Sequence, residues 1–296
     1  SIPPTLVDAW RHYAEIHSRC AAQLFSPIHT EKAAARGSNL GVGPWGPKDA
    51  TTSCKYLLVS DAEPVGLGNR LVALASALAF AMATGRTILI DNRRKLGDLL
   101  CEPFDRYYGS GSTWLIPEEY SSAGYMSKMD AAQSLGERLR AYDWRGSSNT
   151  NASSVIKEVL GGEEMVKVRL WDEPSEEDME VFAEDVYEAL GQIKVLVWQS
   201  DLYTIPNFFM VRGFWEKWQI WTRGGGEDGV FGFMTRLALM PSNRIWRRVM
   251  REYVAYVGGA KRTVGVQVRL HGGEDRAAFK EAEYGRMVAC LANHSY

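Results

Sequence analysis

The chain has 296 residues and a mass of 33.1 kDa, which is enough for one large domain or two smaller ones. Its composition, 46% hydrophobic and 24% charged, excludes a disordered chain, a collagen-like chain and a disulfide-dense miniprotein. The formal net charge is −2, so the chain as a whole has no electrostatic reason to bind nucleic acid.

The first elements along the chain are a helix and a loop. Apolar residues between Val7 and Leu24 recur at the spacing of one helix face, which predicts an amphipathic helix. Residues 35–53 are rich in Gly, Ser, Pro and Thr and predict a loop. The longest apolar stretch, Leu71–Ala83, is shorter than the roughly 18 residues that a bilayer span needs, so we expect no such span in this sequence.

A βαβ unit is predicted next. Tyr56–Val59 reads as a buried strand, and Gly66–Arg70 as a glycine turn. A helix over Leu71–Ala83 is apolar on nearly all sides, Gly85 ends it, and Thr87–Asp91 forms a second buried strand. Two strands joined by a helical crossover indicate a parallel sheet.

The rest of the chain continues the alternation of strands and helices. The further predicted elements are a strand at Met165–Trp171, a helix from an N-cap at Ser175 to Leu190, a strand at Val195–Trp198, a glycine loop at Gly224–Gly232, a helix at Arg244–Val257 and a strand at Thr263–Leu270. This alternation is typical of an α/β protein.

Cysteine and acid spacing carries little chemistry. Cysteines stand at positions 20, 54, 101 and 290, and no pair has the C-x-x-C spacing of a zinc or redox motif. An even number permits two disulfides, but the spacing favours none of the three possible pairings. The sequence contains no D-x-D motif, so we expect no clamp that holds a metal ion and a diphosphate.

The glycine turn is the first candidate binding site, because ligands of parallel sheets bind beyond the carboxyl ends of the strands. Gly66 and Gly68 would let the backbone turn and approach a ligand closely. The following helix would point its free N–H groups at an anion, while Asn69 adds an amide and Arg70 a charge. The pattern alone leaves open a nucleotide-diphosphate ligand and a purely structural turn.

One alternative is a dinucleotide fingerprint, which would make the protein a nicotinamide-dependent oxidoreductase. Asp91 follows the turn at about the distance of a ribose-binding acid. However, Leu71 occupies the position of the third glycine of that fingerprint.

The second candidate site follows the last predicted strand. Arg269 stands at its carboxyl end, and a guanidinium fork suits a phosphate. A salt bridge from Arg269 to Glu274 or Asp275 is the alternative interpretation. His271 lies beside these acids and is a candidate for acid–base chemistry.

Several segments together resemble one known family. These segments are G-L-G-N-R at 66–70, L-C-E-P-F at 100–104, T-W-L-I-P at 113–117, S-D-L-Y at 200–203 and G-V-Q-V-R at 265–269. In this combination and order, the chain resembles the plant cell-wall fucosyltransferases of the xyloglucan type.

This resemblance implies an α/β fold with two Rossmann-like halves, as in GT-B glycosyltransferases. It implies an N-terminal helix and loop at 1–50, a first Rossmann-like domain at 51–240, and the start of a second, donor-binding domain at 241–296. The full-length form would be a type II membrane protein of the Golgi lumen. The resemblance is also compatible with a homo-oligomer.

The resemblance also implies the reaction. L-Fucose would pass from GDP-β-L-fucose to a galactose-bearing glycan, with inversion and with neither a metal nor a cofactor. Arg269 matches the family's donor-phosphate arginine, and Gly66, Gly68, Asn69 and Arg70 match its glycine turn. His271 and Asp275 are the catalytic candidates beside Arg269, with Glu274 as a further possible base.

Two departures from the family set a further expectation. The membrane anchor is absent from the sequence, and the family's chain continues well beyond the region of Cys290. We therefore expect the second half-domain to be incomplete here. A truncated, non-catalytic family member is the third hypothesis.

Overall fold

The computed structural model describes residues 2–24, 54–60, 66–91, 96–104, 114–116, 133–141, 158–160, 165–170, 174–237 and 239–260. The chain divides into two compact units, Ser1–Trp246 and Arg247–Tyr296. The sheet and the large hydrophobic core belong to the first unit, and the second is described as far as residue 260.

The described helices and strands follow one another in an α/β pattern. In chain order they are α1 (Pro4–Leu24), β1 (Lys55–Val59), α2 (Leu67–Thr84), β2 (Arg86–Ile90), α3 (Leu135–Ala141), β3 (Met165–Leu170), α4 (Glu176–Met179), α5 (Glu184–Leu190), β4 (Val195–Ser200), α6 (Ile205–Phe208), α7 (Arg212–Thr222), α8 (Gly226–Leu237) and α9 (Asn243–Tyr256). Short 3₁₀ turns occupy Gly97–Leu99 and Glu180–Phe182.

The described strands form a parallel sheet of four in the order β2-β1-β4-β3. Leu57 of β1 pairs with Ile88 of β2 on one side and with Leu196 of β4 on the other. All three side chains are completely buried, as expected for strands covered on both faces. The predicted βαβ unit and the α/β fold class are thereby confirmed.

Helix α2 is the centre of the core. Its residues from Ala73 to Ala83 are buried without interruption. Gly85 ends the helix in the left-handed conformation, φ 65°, and its N–H donates to the carbonyl of Met82, as predicted. Although α2 is long and apolar enough to cross a membrane, its burial is that of a core helix in a globular domain.

Two sequence predictions about helices are wrong. The predicted loop Gly224–Gly232 is largely helix α8, because Val230, Phe233 and Met234 are buried in the core and outweigh the poor helix propensity of glycine. The helix predicted over 175–190 instead breaks at Ala183, whose ψ of 142° is extended. Its predicted start is confirmed, since Ser175 and Asp178 form a reciprocal capping box.

Helix α1 is fastened to the sheet by its buried face. The hydroxyl of Tyr13 donates to the carbonyl of Arg86 at 2.9 Å, and Nε2 of His17 donates to the carbonyl of Ile88 at 2.8 Å. Cys20 forms a disulfide with Cys54, the residue just before β1. Two hydrogen bonds and one disulfide therefore hold α1 along β1 and β2.

His17 is neutral in the folded protein. Burial lowers its pKa to about 4, and its ring stacks on Phe104 with 3.7 Å between ring centroids. Nδ1 is buried and has no hydrogen-bond partner among the described residues. Protonation at Nδ1 would therefore place an unpaired charge in the core.

The amino edge of the sheet carries two cations with a structural role. The guanidinium of Arg86 is buried and donates to the carbonyls of Leu190 and Tyr56, while the ammonium of Lys55 donates to the carbonyl of Gly191. Leu190 and Gly191 end helix α5, where the helix dipole is negative. Burial lowers the pKa of Arg86 to about 10, which still leaves it charged at neutral pH.

His17 makes stability depend on pH. Its pKa is about 4 when folded and 6.5 when free, so its contribution is complete above pH 6.5 and is lost as pH falls towards 4. The loss reaches on the order of 3 kcal/mol. We expect His17→Gln, which keeps a donor for Ile88, to flatten the stability of the protein over this range in urea unfolding. Parallel pH profiles for the variant and the wild type would contradict this.

The disulfide is expected to dominate the attachment of α1. It closes a sequence separation of 34 residues, for which chain entropy gives roughly 4 kcal/mol. The double variant Cys20→Ser with Cys54→Ser should unfold at lower urea and should not respond to reductant. Cys101→Ser, at a half-buried free cysteine, is the matched control and should retain the response to reductant.

Candidate functional site

The carboxyl ends of the parallel strands meet at one edge of the sheet. Hydrogen bonds continue there just past the strands, from Ser60 N to Trp198 O at 2.9 Å and from Asp91 N to Val59 O at 2.8 Å. Because β1 lies between β2 and β4, the chain that follows β1 starts from the middle of this edge. Parallel sheets bind their ligands at such edges.

Helix α2 presents its N-terminus at the site. Gly66 is its N-cap, and no side-chain hydrogen bond of the N-cap closes the first turn. Gly66, Gly68 and Asn69 are exposed, while Arg70 is half-buried. The first-turn N–H groups, which the N-cap side chain does not satisfy, and the positive end of the dipole of this 18-residue helix favour an anion.

The predicted turn through Arg70 is wrong, because the helix begins at Leu67 and already contains Gly68, Asn69 and Arg70. The glycines are not there for the backbone either, since Gly66 has an extended conformation, φ −61° and ψ 150°, that any residue adopts. A Cβ atom at Gly66 or Gly68 would meet no atom of the described residues within 4 Å. The two glycines therefore leave open space against the helix N-terminus, which suits close approach by a ligand.

A second segment borders the same edge, directly after β4. The backbone N–H of Thr204 donates to the hydroxyl of Ser76 on α2 at 3.0 Å, and that hydroxyl donates to the carbonyl of Val72 at 2.9 Å. Ser76 and Thr204 are both buried. The chain after β4 is thus fixed to the helix that carries the glycines.

Tyr203 lies in this segment and was not singled out as a site residue by sequence reasoning. Its ring makes a T-shaped contact with Phe231 of α8, with 5.1 Å between centroids. Burial, followed by the charges of Glu227 and Asp228, raises the pKa of Tyr203 to about 12, so the hydroxyl keeps its proton. The signals available in the sequence were its place in the S-D-L-Y segment at 200–203 and just beyond the predicted buried strand Val195–Trp198.

Asp91 does not have the accessibility that a ribose-binding acid needs. The residue is 1% exposed, although it follows β2 at the expected edge. A cofactor at the carboxyl edge of the sheet could not reach its carboxylate, which removes the main support for the nicotinamide interpretation.

The remaining predicted site residues lie outside the described part of the chain. These are Arg269, His271, Glu274 and Asp275. Their approach to Asn69 stays a prediction. Within the described ranges, no group of three or more His, Cys, Asp and Glu side chains is arranged to hold a metal ion.

Comparison with known proteins identifies relatives along nearly the whole chain. A family model described as "Xyloglucan fucosyltransferase" matches residues 1–295. "Probable fucosyltransferase 7" of Arabidopsis thaliana is 27% identical over 286 residues, covering 96% of this chain and 49% of the relative. "Galactoside 2-alpha-L-fucosyltransferase" of Pisum sativum is 25% identical over 267 residues, covering 90% of this chain and 42% of the relative.

A solved structure shares the fold. The Arabidopsis thaliana FUT1 protein, as an arginine-to-lysine mutant in complex with GDP, matches with a TM-score of 0.67 and 23% sequence identity. The match covers 93% of this chain and 54% of that one, and the chain spans about half the length of the curated relatives above. The family match over residues 1–295 shows that the chain belongs to the xyloglucan fucosyltransferase family.

Proposed function

We propose that this protein is a fucosyltransferase that moves L-fucose from GDP-β-L-fucose to a galactose-bearing glycan. The carrying observation is the open, glycine-lined N-terminus of α2 at the carboxyl edge of the sheet, in a chain of this family. The relatives support the proposal: one is named a galactoside 2-alpha-L-fucosyltransferase, and the structural neighbour is in complex with GDP.

The proposed donor site uses two kinds of positive charge. The first-turn N–H groups of α2 attract the diphosphate, and Gly66 and Gly68 leave room for it. Asn69 and Arg70, in the first turn of α2, orient the phosphates or the sugar. Arg269, from the second domain proposed at 241–296, holds the β-phosphate with its guanidinium fork.

The reaction that follows is a displacement at C1 of fucose. The acceptor hydroxyl oxygen forms a bond to C1 while the bond from C1 to the phosphate oxygen breaks, and the electron pair leaves with GDP. The proton of the acceptor passes to a base, for which His271, Glu274 and Asp275 are the candidates. Attack opposite the leaving group inverts C1. We propose that Arg269 and the helix N–H groups neutralise the leaving group without a metal.

The disulfide supports the proposed compartment. The bond between Cys20 and Cys54 is expected in an oxidising lumen and not in the cytosol. This agrees with a luminal enzyme of the Golgi that is held there, in its full-length form, as a type II membrane protein. Its partners would be GDP-fucose and a cell-wall polysaccharide or glycoprotein glycan.

Ligand-induced stabilisation tests the proposal directly. A ligand that binds only the native state raises Tm, so GDP and GDP-fucose are expected to raise it and NAD to leave it unchanged. Radiolabelled fucose should then pass from the donor to a galactosylated xyloglucan oligosaccharide. A rise in Tm with NAD, or no rise with either GDP or GDP-fucose, would refute the assignment.

Gly68→Ala separates the stability of α2 from its function. Alanine meets no atom of the described residues there and is a better helix former, so the unfolding free energy should rise, by at most about 0.5–1 kcal/mol because Gly68 lies in the first turn. The new methyl group occupies the space proposed for the diphosphate, so the GDP-induced shift in Tm should fall.

The matched control is Gly232→Ala in the middle of α8. A Cβ atom at Gly232 also meets nothing within 4 Å in the part of the chain that the structure describes, and the position is remote in sequence from the proposed donor site. It should gain similar stability and keep the full response to GDP. Equal GDP responses in both variants would show that Gly68 does not face the nucleotide.

A further inference from the structure

We propose that the side chain of Tyr203 contacts the neutral sugar of the acceptor, and that Ser76 positions Tyr203 through the backbone of Thr204. This inference rests on the proposed fucosyl transfer. It adds a residue of the first unit that recognises the acceptor, distinct from the groups proposed above for the donor.

The placement of Tyr203 is fixed on both sides. On one side, the N–H of Thr204 donates to the hydroxyl of Ser76 at 3.0 Å, which holds the chain against α2. On the other side, the ring of Tyr203 packs against Phe231 at an interplanar angle of 71°. The segment therefore has a fixed backbone and a supported aromatic ring at the edge where the strands end.

The chemistry that Tyr203 leaves available suits a sugar. The side chain is only half-buried, and a T-shaped contact with one ring leaves at least one of its faces uncovered by that ring. Among the described residues, nothing hydrogen-bonds its hydroxyl. A pyranose combines an apolar C–H face with hydroxyl groups, and a tyrosine offers both an apolar face and a polar tip.

The charges around Tyr203 distinguish the acceptor from the donor. Glu227 and Asp228 stand one helical turn before Phe231 on α8, both are exposed, and both act electrostatically on Tyr203. Carboxylates accept hydrogen bonds from sugar hydroxyls and repel a diphosphate. The anionic donor thus belongs at the N-terminus of α2, and a neutral glycan beside Tyr203.

Ser76 has a positioning role because of the two hydrogen bonds that its hydroxyl makes. It accepts from Thr204 and donates to Val72 within α2, and it is completely buried. Removing the hydroxyl would leave the buried N–H of Thr204 without this acceptor and release the neighbouring Tyr203. Ser76 itself has no access to a substrate.

Direct binding of a galactosylated xyloglucan oligosaccharide to the purified protein tests the inference, with titration calorimetry as the readout. Tyr203→Ala should weaken binding about five- to tenfold, the scale of one aromatic contact. The glycan affinity of Tyr203→Phe, which keeps the ring, should lie between that of Tyr203→Ala and that of the wild type. The control is Trp215→Ala on α7, another half-exposed aromatic, which should bind normally.

A variant cycle tests the role of Ser76. Ser76→Ala should weaken glycan binding in the wild type, but have no further effect when Tyr203 is already alanine. A purely structural role for Ser76 would lower Tm and weaken binding equally in both backgrounds. That additive result would remove Ser76 from the inference.

GDP binding keeps this inference separate from the proposed function. The Tyr203 variants should show an unchanged Tm response to GDP, since the donor binds at α2. No glycan binding by the wild type, or equal binding by Tyr203→Ala, overturns the inference even if GDP binds. Glycan binding that needs Tyr203 sustains it, and a missing GDP response would then count against the transferase assignment alone.

Discussion

The burial of helix α2 beside the central strands is the constraint on which the rest of the structure depends. An apolar helix with eleven consecutive buried residues has no freedom to slide or turn without exposing them. Its N-terminus is therefore held at the carboxyl edge of the sheet, and with it the open space at Gly66 and Gly68. Packing in the core thus fixes the position of the first turn of α2, while the turn itself is exposed to solvent.

The two edges of the sheet are treated differently. At the amino edge, Arg86 and Lys55 donate to the final carbonyls of α5, so side chains satisfy this helix end. At the carboxyl edge, the N-cap of α2 supplies no side-chain partner, and Tyr203 has a hydroxyl that no described residue engages. Side chains thus satisfy the end of a helix at the amino edge, whereas the described residues leave a helix N-terminus and a tyrosine hydroxyl available at the carboxyl edge, where a polar substrate is proposed to bind.

Much of this arrangement could be predicted from sequence, because apolar runs such as Tyr56–Val59 leave little choice but burial. The start of α2 was placed too late, since glycines weaken helix propensity without forbidding a helix. Helix α8 is not predicted for the same reason, because only the tertiary packing of Phe233 and Met234 offsets the poor helix propensity of its glycines.

The pairing of Cys20 with Cys54 depends on spatial proximity, which spacing along the chain does not encode. Tyr203 was missed as a site residue because its neighbours in space, Phe231 and Glu227, are distant in sequence.

The bond between Cys20 and Cys54 has a topological consequence. It joins the end of α1 to the first residue before β1, so the intervening chain is a covalent ring. Closure entropy grows only slowly with the size of such a ring, so insertions or deletions between the two cysteines cost little. A protease that cleaved the chain within this ring would leave the two fragments joined by the disulfide. Helix α1 would then stay covalently attached to the rest of the protein until a thiol reduced that bond.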